Sequence, residues 1–126
     1  MKLSNAPVSP VLPAANLARA RKFYEETLCL SVLHDSTPGV VIFSAGDGTR
    51  LEVYEHGAPK ADNTACSFVV SDIEETLREL KDRGIVFEEY DYEDMKTVES
   101  IATMGEERAA WFKDSEGNII CIHQEG

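Results

Sequence analysis

Ala109-Ala110-Trp111-Phe112-Lys113-Asp114-Ser115-Glu116-Gly117-Asn118-Ile119-Ile120-Cys121-Ile122-His123 is the stretch on which the fold of this chain turns. Two apolar runs flank a polar Asp-Ser-Glu-Gly-Asn cluster, and glycine and asparagine tolerate the positive φ angles of a tight turn between strands. The stretch therefore predicts a β-hairpin. The same pattern occurs earlier, in Val40-Val41-Ile42-Phe43-Ser44-Ala45-Gly46-Asp47-Gly48-Thr49-Arg50-Leu51-Glu52-Val53-Tyr54. Phe43 and Phe112, Gly48 and Gly117, and Gly57 and Gly126 are each separated by 69 positions. A period this long in a chain of 126 residues implies two copies of one supersecondary unit.

The residues before each hairpin fit that reading. Ser9-Pro10-Val11-Leu12-Pro13 is a short extended segment whose prolines suit a strand end or edge. Asn16 offers an N-cap, and Leu17, Ala20, Phe23, Tyr24 and Leu28 recur at helical spacing, so a helix is expected to about Leu28. Leu30 to His34 reads as a second strand. In the second copy, Ala65 to Val70 is a strand, and Ser71-Asp72-Ile73-Glu74 opens a helix with capping-box spacing. Ile73, Leu77 and Leu80 form its apolar stripe, and Gly84 ends it. Ile85-Val86-Phe87 is expected to be the next strand. The helix starts at Asn16 and Asp72 lie 56 apart while the hairpins lie 69 apart, so the second copy carries 13 extra residues. They are placed in Glu88 to Arg108 as a loop or lid.

The expected class is α+β: two tandem βαβββ modules, at about 7–57 and 64–124, within a single domain spanning 1–126. Their curved mixed sheets carry helices on the convex side, burying Leu17, Phe23, Leu28, Ile73, Leu77 and Leu80. A chain of 13.9 kDa has room for one compact core. Its 43% hydrophobic and 28% charged residues are ordinary for a globular protein. No apolar run approaches the roughly 20 residues that span a bilayer. Met1 to Pro7 lacks a signal-peptide core, so a cytoplasmic location is expected. Cys29, Cys66 and Cys121 are odd in number and without a CxxC, which fits reduced thiols. Acidic residues outnumber basic ones 23 to 12, and the net charge of −11 argues against nucleic acid or membrane partners.

The duplicated unit, with Asn16-Leu17-x-x-Ala20-x-x-Phe23-Tyr24 after the first strand and Asp114-x-x-Gly117-Asn118 near the end, resembles the vicinal oxygen chelate superfamily. That superfamily holds glyoxalases, extradiol dioxygenases, thiol transferases that inactivate fosfomycin, and bleomycin-resistance proteins. Pro10-x-Leu12-Pro13-x-x-Asn16 is most similar to the opening of the bleomycin-resistance proteins. This resemblance implies a homodimer that sequesters a drug or natural product without a metal cofactor. Two positions depart from the family pattern. Cys29 stands where glycine usually follows the helix, and Ser115 replaces the usual proline of the last turn.

Metal-dependent members draw ligands from the first and fourth strands of each module, and the resemblance carries those places to Ser9, Glu52, Ala65 and Cys121. Glu52 is the one usual ligand for a hard divalent ion among them, against the three or so that a catalytic site needs. The expected cofactor is therefore none, and the expected catalytic set is empty. The alternative is an enzyme with one divalent Zn, Fe, Mn or Ni ion, in which Glu52 is ligand or base for isomerisation, ring cleavage or thiol addition. Strand alternation puts Leu51 and Val53 under the helix and leaves Arg50, Glu52 and Tyr54 on the other face. By the same alternation Cys121 and His123 face away from Ile120 and Ile122. With Trp111, the single tryptophan and a stacking surface for a flat molecule, these six are the candidate ligand-binding residues.

Overall fold

The computed structural model describes residues 2–126, which divide into two compact units, one ending at Pro59 and the other starting at Lys60. The first contains β1 (Val11–Ala14), α1 (Leu17–Lys22), β2 (Ser31–His34), β3 (Val40–Ser44) and β4 (Arg50–Glu55). Its sheet order is β1-β4-β3-β2, with β1 parallel to β4 and the other pairs antiparallel. The first unit is thus the expected βαβββ module with a mixed sheet. Register explains which side is core. Leu12, Val41, Phe43, Leu51 and Val53 share one face and are buried, at 4% exposure or less.

Asn16 starts α1 as expected, its Oδ1 accepting the Arg19 N–H at 3.0 Å. The helix then widens into a π turn over Phe23–Thr27, where the Leu28 N–H donates to the Phe23 carbonyl. A π turn adds a residue to the repeat and breaks the regular helical spacing between Phe23 and Leu28. Tyr24, four residues after the buried Ala20, is the fully buried ring, tilted 35° against Phe43 at 5.4 Å, while Leu17, Phe23 and Leu28 are only half-buried. At the end of that turn Cys29 takes φ +60°. A Cβ is strained there and glycine is not. Cys29→Gly is therefore expected to stabilise the protein by about 1 kcal/mol, read as a raised urea midpoint at unchanged slope.

The second unit contains β5 (Thr64–Val69), α2 (Ile73–Asp82), β6 (Thr97–Val98), β7 (Ile101–Met104), β8 (Glu107–Lys113) and β9 (Ile119–Gln124). Its order is β5-β9-β8-β7-β6, again with one parallel pair, β5 and β9. The N-cap of α2 is Asp72, which accepts from the Glu75 N–H at 3.1 Å. Ile73, Leu77 and Leu80 are buried as their spacing requires, and Gly84 follows the helix at φ +95°.

Two expectations change here. Ile85–Phe87 makes a single bridge, Phe87 to Phe112, and is no strand of its own. By the 69-residue offset the pairing of Phe87 with Phe112 repeats that of Val32 with Phe43, so this segment stands in the place of β2, while β7 pairs with the other end of β8, Glu107 to Ala109. The extra residues therefore lie between Phe87 and β8 and include β7. They also build a fifth strand, β6, so Glu88 to Arg108 is partly sheet rather than a loop throughout.

The turn between β8 and β9 is tied from inside. Asp114 Oδ1 accepts the backbone N–H groups of Glu116 and Asn118 at 2.9 and 2.8 Å, and its Oδ2 accepts from Asn118 Nδ2 at 2.9 Å. Asp114 and Asn118 are 6% and 2% exposed. Gly117, at φ +99°, supplies the left-handed step.

Candidate functional site

In the first unit, the face of the sheet opposite the buried core carries Arg50, Glu52 and Tyr54 from β4. Glu52 pairs with Val11 on one side and Ile42 on the other, so its half-buried carboxylate lies between two apolar side chains. Tyr54 sits beside Pro13 and Val40, and its ring lies 5.4 Å from the His56 ring. Arg50 is exposed at the strand end, where its carbonyl accepts from Ser9 Oγ at 3.4 Å.

In the second unit the equivalent face is set by β8 and β9. Ala110, Phe112, Ile120 and Ile122 turn toward the core and are buried. Trp111 pairs with Cys121 and Ala109 with His123, which brings Trp111, Cys121 and His123 onto the other face. His123 Nε2 lies 2.5 Å from Glu107 Oε2, so the imidazole is oriented by a carboxylate. Trp111 is half-buried and meets Tyr90 edge-on at 5.6 Å, and Tyr90 stacks on Tyr92 at 5.7 Å and 20°. The three rings form a continuous aromatic run. Tyr92 is 60% exposed, so the run emerges into solvent at one end. Burial holds the Tyr90 hydroxyl above the usual phenol range, favouring its neutral, hydrogen-bonding form.

Tyr90, Tyr92 and Glu107 are absent from the sequence-based set. Tyr90 and Tyr92 alternate with acids in Glu88-Glu89-Tyr90-Asp91-Tyr92, an i, i+2 pattern that marks one face of an extended segment, and this was the available signal. The segment is fixed beside β8 by the Glu88 N–H donating to the Trp111 carbonyl at 2.8 Å. Glu107 carries no such signal, because its contact with His123 depends on the β8–β9 register.

The metal-ligand places do not make a donor set. Ala65 has no donor, and the Ser9 hydroxyl is a weak one that points to the Pro10 and Arg50 carbonyls. Burial raises the Cys121 thiol above its ordinary range, and Cys66 is pushed up to about 11 by burial, with Asp114 and Cys121 adding to it. Both shifts favour the protonated thiol, a poor nucleophile. Among the described residues, no three His, Cys, Asp or Glu side chains converge as a metal site. The three histidines fall in different places. His34 and His56 are exposed and His123 is held by Glu107.

A family model described as the Glyoxalase/Bleomycin resistance protein/Dioxygenase superfamily matches residues 7–122. No curated protein sequence matches the chain. Solved structures with the same fold include UcmS2, at 17% identity and a TM-score of 0.74, with 98% of each chain covered. Another is TnmS3, an antibiotic binding protein from Streptomyces sp. CB03234, at 20% identity and a TM-score of 0.73, with 97% of each chain covered. A third is a mutant of the fosfomycin resistance protein FosX from Listeria monocytogenes, complexed with Mn(II) and a dihydroxypropylphosphonic acid. It is 14% identical with a TM-score of 0.70, covering 96% of this chain and 91% of that one. The fold therefore accommodates both an antibiotic binder and a metal-bound resistance protein.

Proposed function

Because the chain belongs to the glyoxalase/bleomycin resistance protein/dioxygenase superfamily, we propose that it binds an organic small molecule and sequesters it unchanged, the ligand being a drug or natural product with a planar aromatic part. The observation that carries this reading is the Tyr92–Tyr90–Trp111 run, which gives a flat molecule a stacking surface with one end open to solvent. The His123–Glu107 pair adjoins it on the same strand face and supplies polar contacts, whereas Cys121, expected there from the sequence, is buried at 7% exposure. In the first unit, the Glu52 carboxylate between Val11 and Ile42 offers a counter-charge for a cationic ligand, with Arg50 and Tyr54 beside it.

The donor set supports a metal-free binder, since Glu52 is alone among the four family ligand places in being a usual hard-metal ligand. We extend the reading to a homodimer in the cytoplasm. Its support is that edge strands β1 and β5 present Val11 and Val69 at 52% and 62% exposure, apolar surface that pairing would cover. No described helix is long and apolar enough to cross a membrane.

The single tryptophan makes the test direct. Titration with daunorubicin, planar and cationic, is expected to quench Trp111 fluorescence saturably, and the drug released on denaturation should have an unchanged mass. On the first unit, Glu52→Gln should weaken a cationic ligand by about 1–3 kcal/mol and a neutral isostere much less, the range for a hydrogen bond to a charged group. Absence of saturable quenching across planar aromatic antibiotics, or recovery of an altered drug, contradicts the proposal.

A further inference from the structure

The other face of the five-stranded sheet holds a cleft that the reading above does not use. α2 packs on β9, while the extra residues of the second unit extend the sheet outward through β6. One helix does not cover so wide a sheet. Between the flank of α2 and the β6–β7 hairpin lies a cleft of about 970 Å³, within the size of small-molecule sites. The pairings of Val98 with Ile101 and of Thr103 with Arg108 put an apolar and small-residue floor on this side.

The rim is unusual for so acidic a chain. Arg78, Lys81, Lys96 and Arg108, four of the 12 basic residues, converge on it. Arg108 is held by Glu74 at 2.6 Å. Glu89 is also engaged, accepting from Thr97 Oγ1 at 2.8 Å, from the Ser100 N–H at 3.1 Å and from Ser100 Oγ at 2.8 Å. These bonds fix the turn in which Glu99 and Ser100 both take positive φ, at +50° and +75°. The donors to Glu89 leave its charge in place, so four acids, Glu74, Asp82, Glu89 and Glu99, share the cleft with the four bases, a balance against 23 to 12 in the whole chain; among the described residues Arg78, Lys81 and Lys96 are in no salt bridge. Lys81 rests over the Phe87 ring at 5.8 Å, which keeps its ammonium at the rim.

We propose that this cleft is a second binding site, for an organic anion with an apolar body. Its carboxylate or phosphate meets Arg78, Lys81 and Lys96, and its body lies on Val98 and Ile101. The inserted segment is what builds the site, since it contributes Lys96, Val98 and the clamped turn.

Amide chemical-shift titration of the full chain with phenyl phosphate tests this, with phenol and inorganic phosphate as separate arms. Phenyl phosphate is expected to give saturable shifts at Arg78, Lys81, Lys96, Val98 and Ile101 while the Trp111 indole stays in place. It should bind about tenfold or more tightly than either phenol or inorganic phosphate, because charge and apolar body act together. Lys96→Glu, at an exposed loop position, should weaken it by about tenfold or more. Shifts centred on Trp111, no saturation, phenyl phosphate binding no more tightly than phenol or inorganic phosphate, or an unaffected Lys96→Glu variant would each overturn the proposal. None of these outcomes bears on whether a planar drug quenches Trp111.

Discussion

Asp114→Ala is expected to lower the unfolding free energy by about 3 kcal/mol, the largest stability change anticipated for a single polar residue in this chain. The carboxylate takes two backbone N–H groups and one side-chain amide in a turn that is almost fully closed to solvent. Removing it leaves those donors buried without acceptors, and each orphaned group costs on the order of 1–3 kcal/mol. The turn also fixes the β8–β9 register, and with it the pairing of Trp111 with Cys121. Asp114→Asn keeps an acceptor for the two backbone donors and is expected to cost about 1 kcal/mol. Urea denaturation of the three proteins measures the series. Equal midpoints for Asp114→Ala and the unmodified protein would show that the turn holds itself through Gly117 and the backbone alone.

Trp111→Ala is expected to weaken a planar aromatic ligand by about 2 kcal/mol, close to thirtyfold, whereas Trp111→Phe should lose less than half of that. The indole is the largest surface in the Tyr92–Tyr90–Trp111 run, and its removal leaves Tyr90 facing an empty flank. Calorimetry is the measurement to use, because the variant has lost its fluorophore. A loss below about threefold would move the ligand away from this face. Tyr92→Ala should have a smaller effect, since that ring is mostly in solvent.

The architecture was legible because it is written twice. Phe43 with Phe112 and Gly48 with Gly117 repeat at one offset, and the capping residues Asn16 and Asp72 mark both helix starts. Period-two alternation sorted Leu51 and Val53 from Glu52, and Ile120 and Ile122 from Cys121, because a strand's faces follow from counting. Three features escaped for physical reasons. The π turn over Phe23–Thr27 breaks the regular helical spacing between Phe23 and Leu28, and Tyr24, four residues after buried Ala20, is the ring that is buried. Ile85-Val86-Phe87 has strand composition and reaches the edge of β8, yet it pairs there through the single bridge of Phe87 with Phe112, while β7 pairs with the other end of β8. Contacts such as His123 with Glu107 need the hairpin register as well as the strand assignment.

The protein's proposed role stands or falls on its being a metal-free binder. Elemental analysis of protein purified without chelators or metal-affinity resin tests that most directly. The expected result is zinc, iron, manganese and nickel all far below one equivalent per chain, in a sample that still binds its planar ligand. One equivalent of any of them, lost together with ligand binding or turnover in Glu52→Gln, would contradict it and make Glu52 a metal ligand.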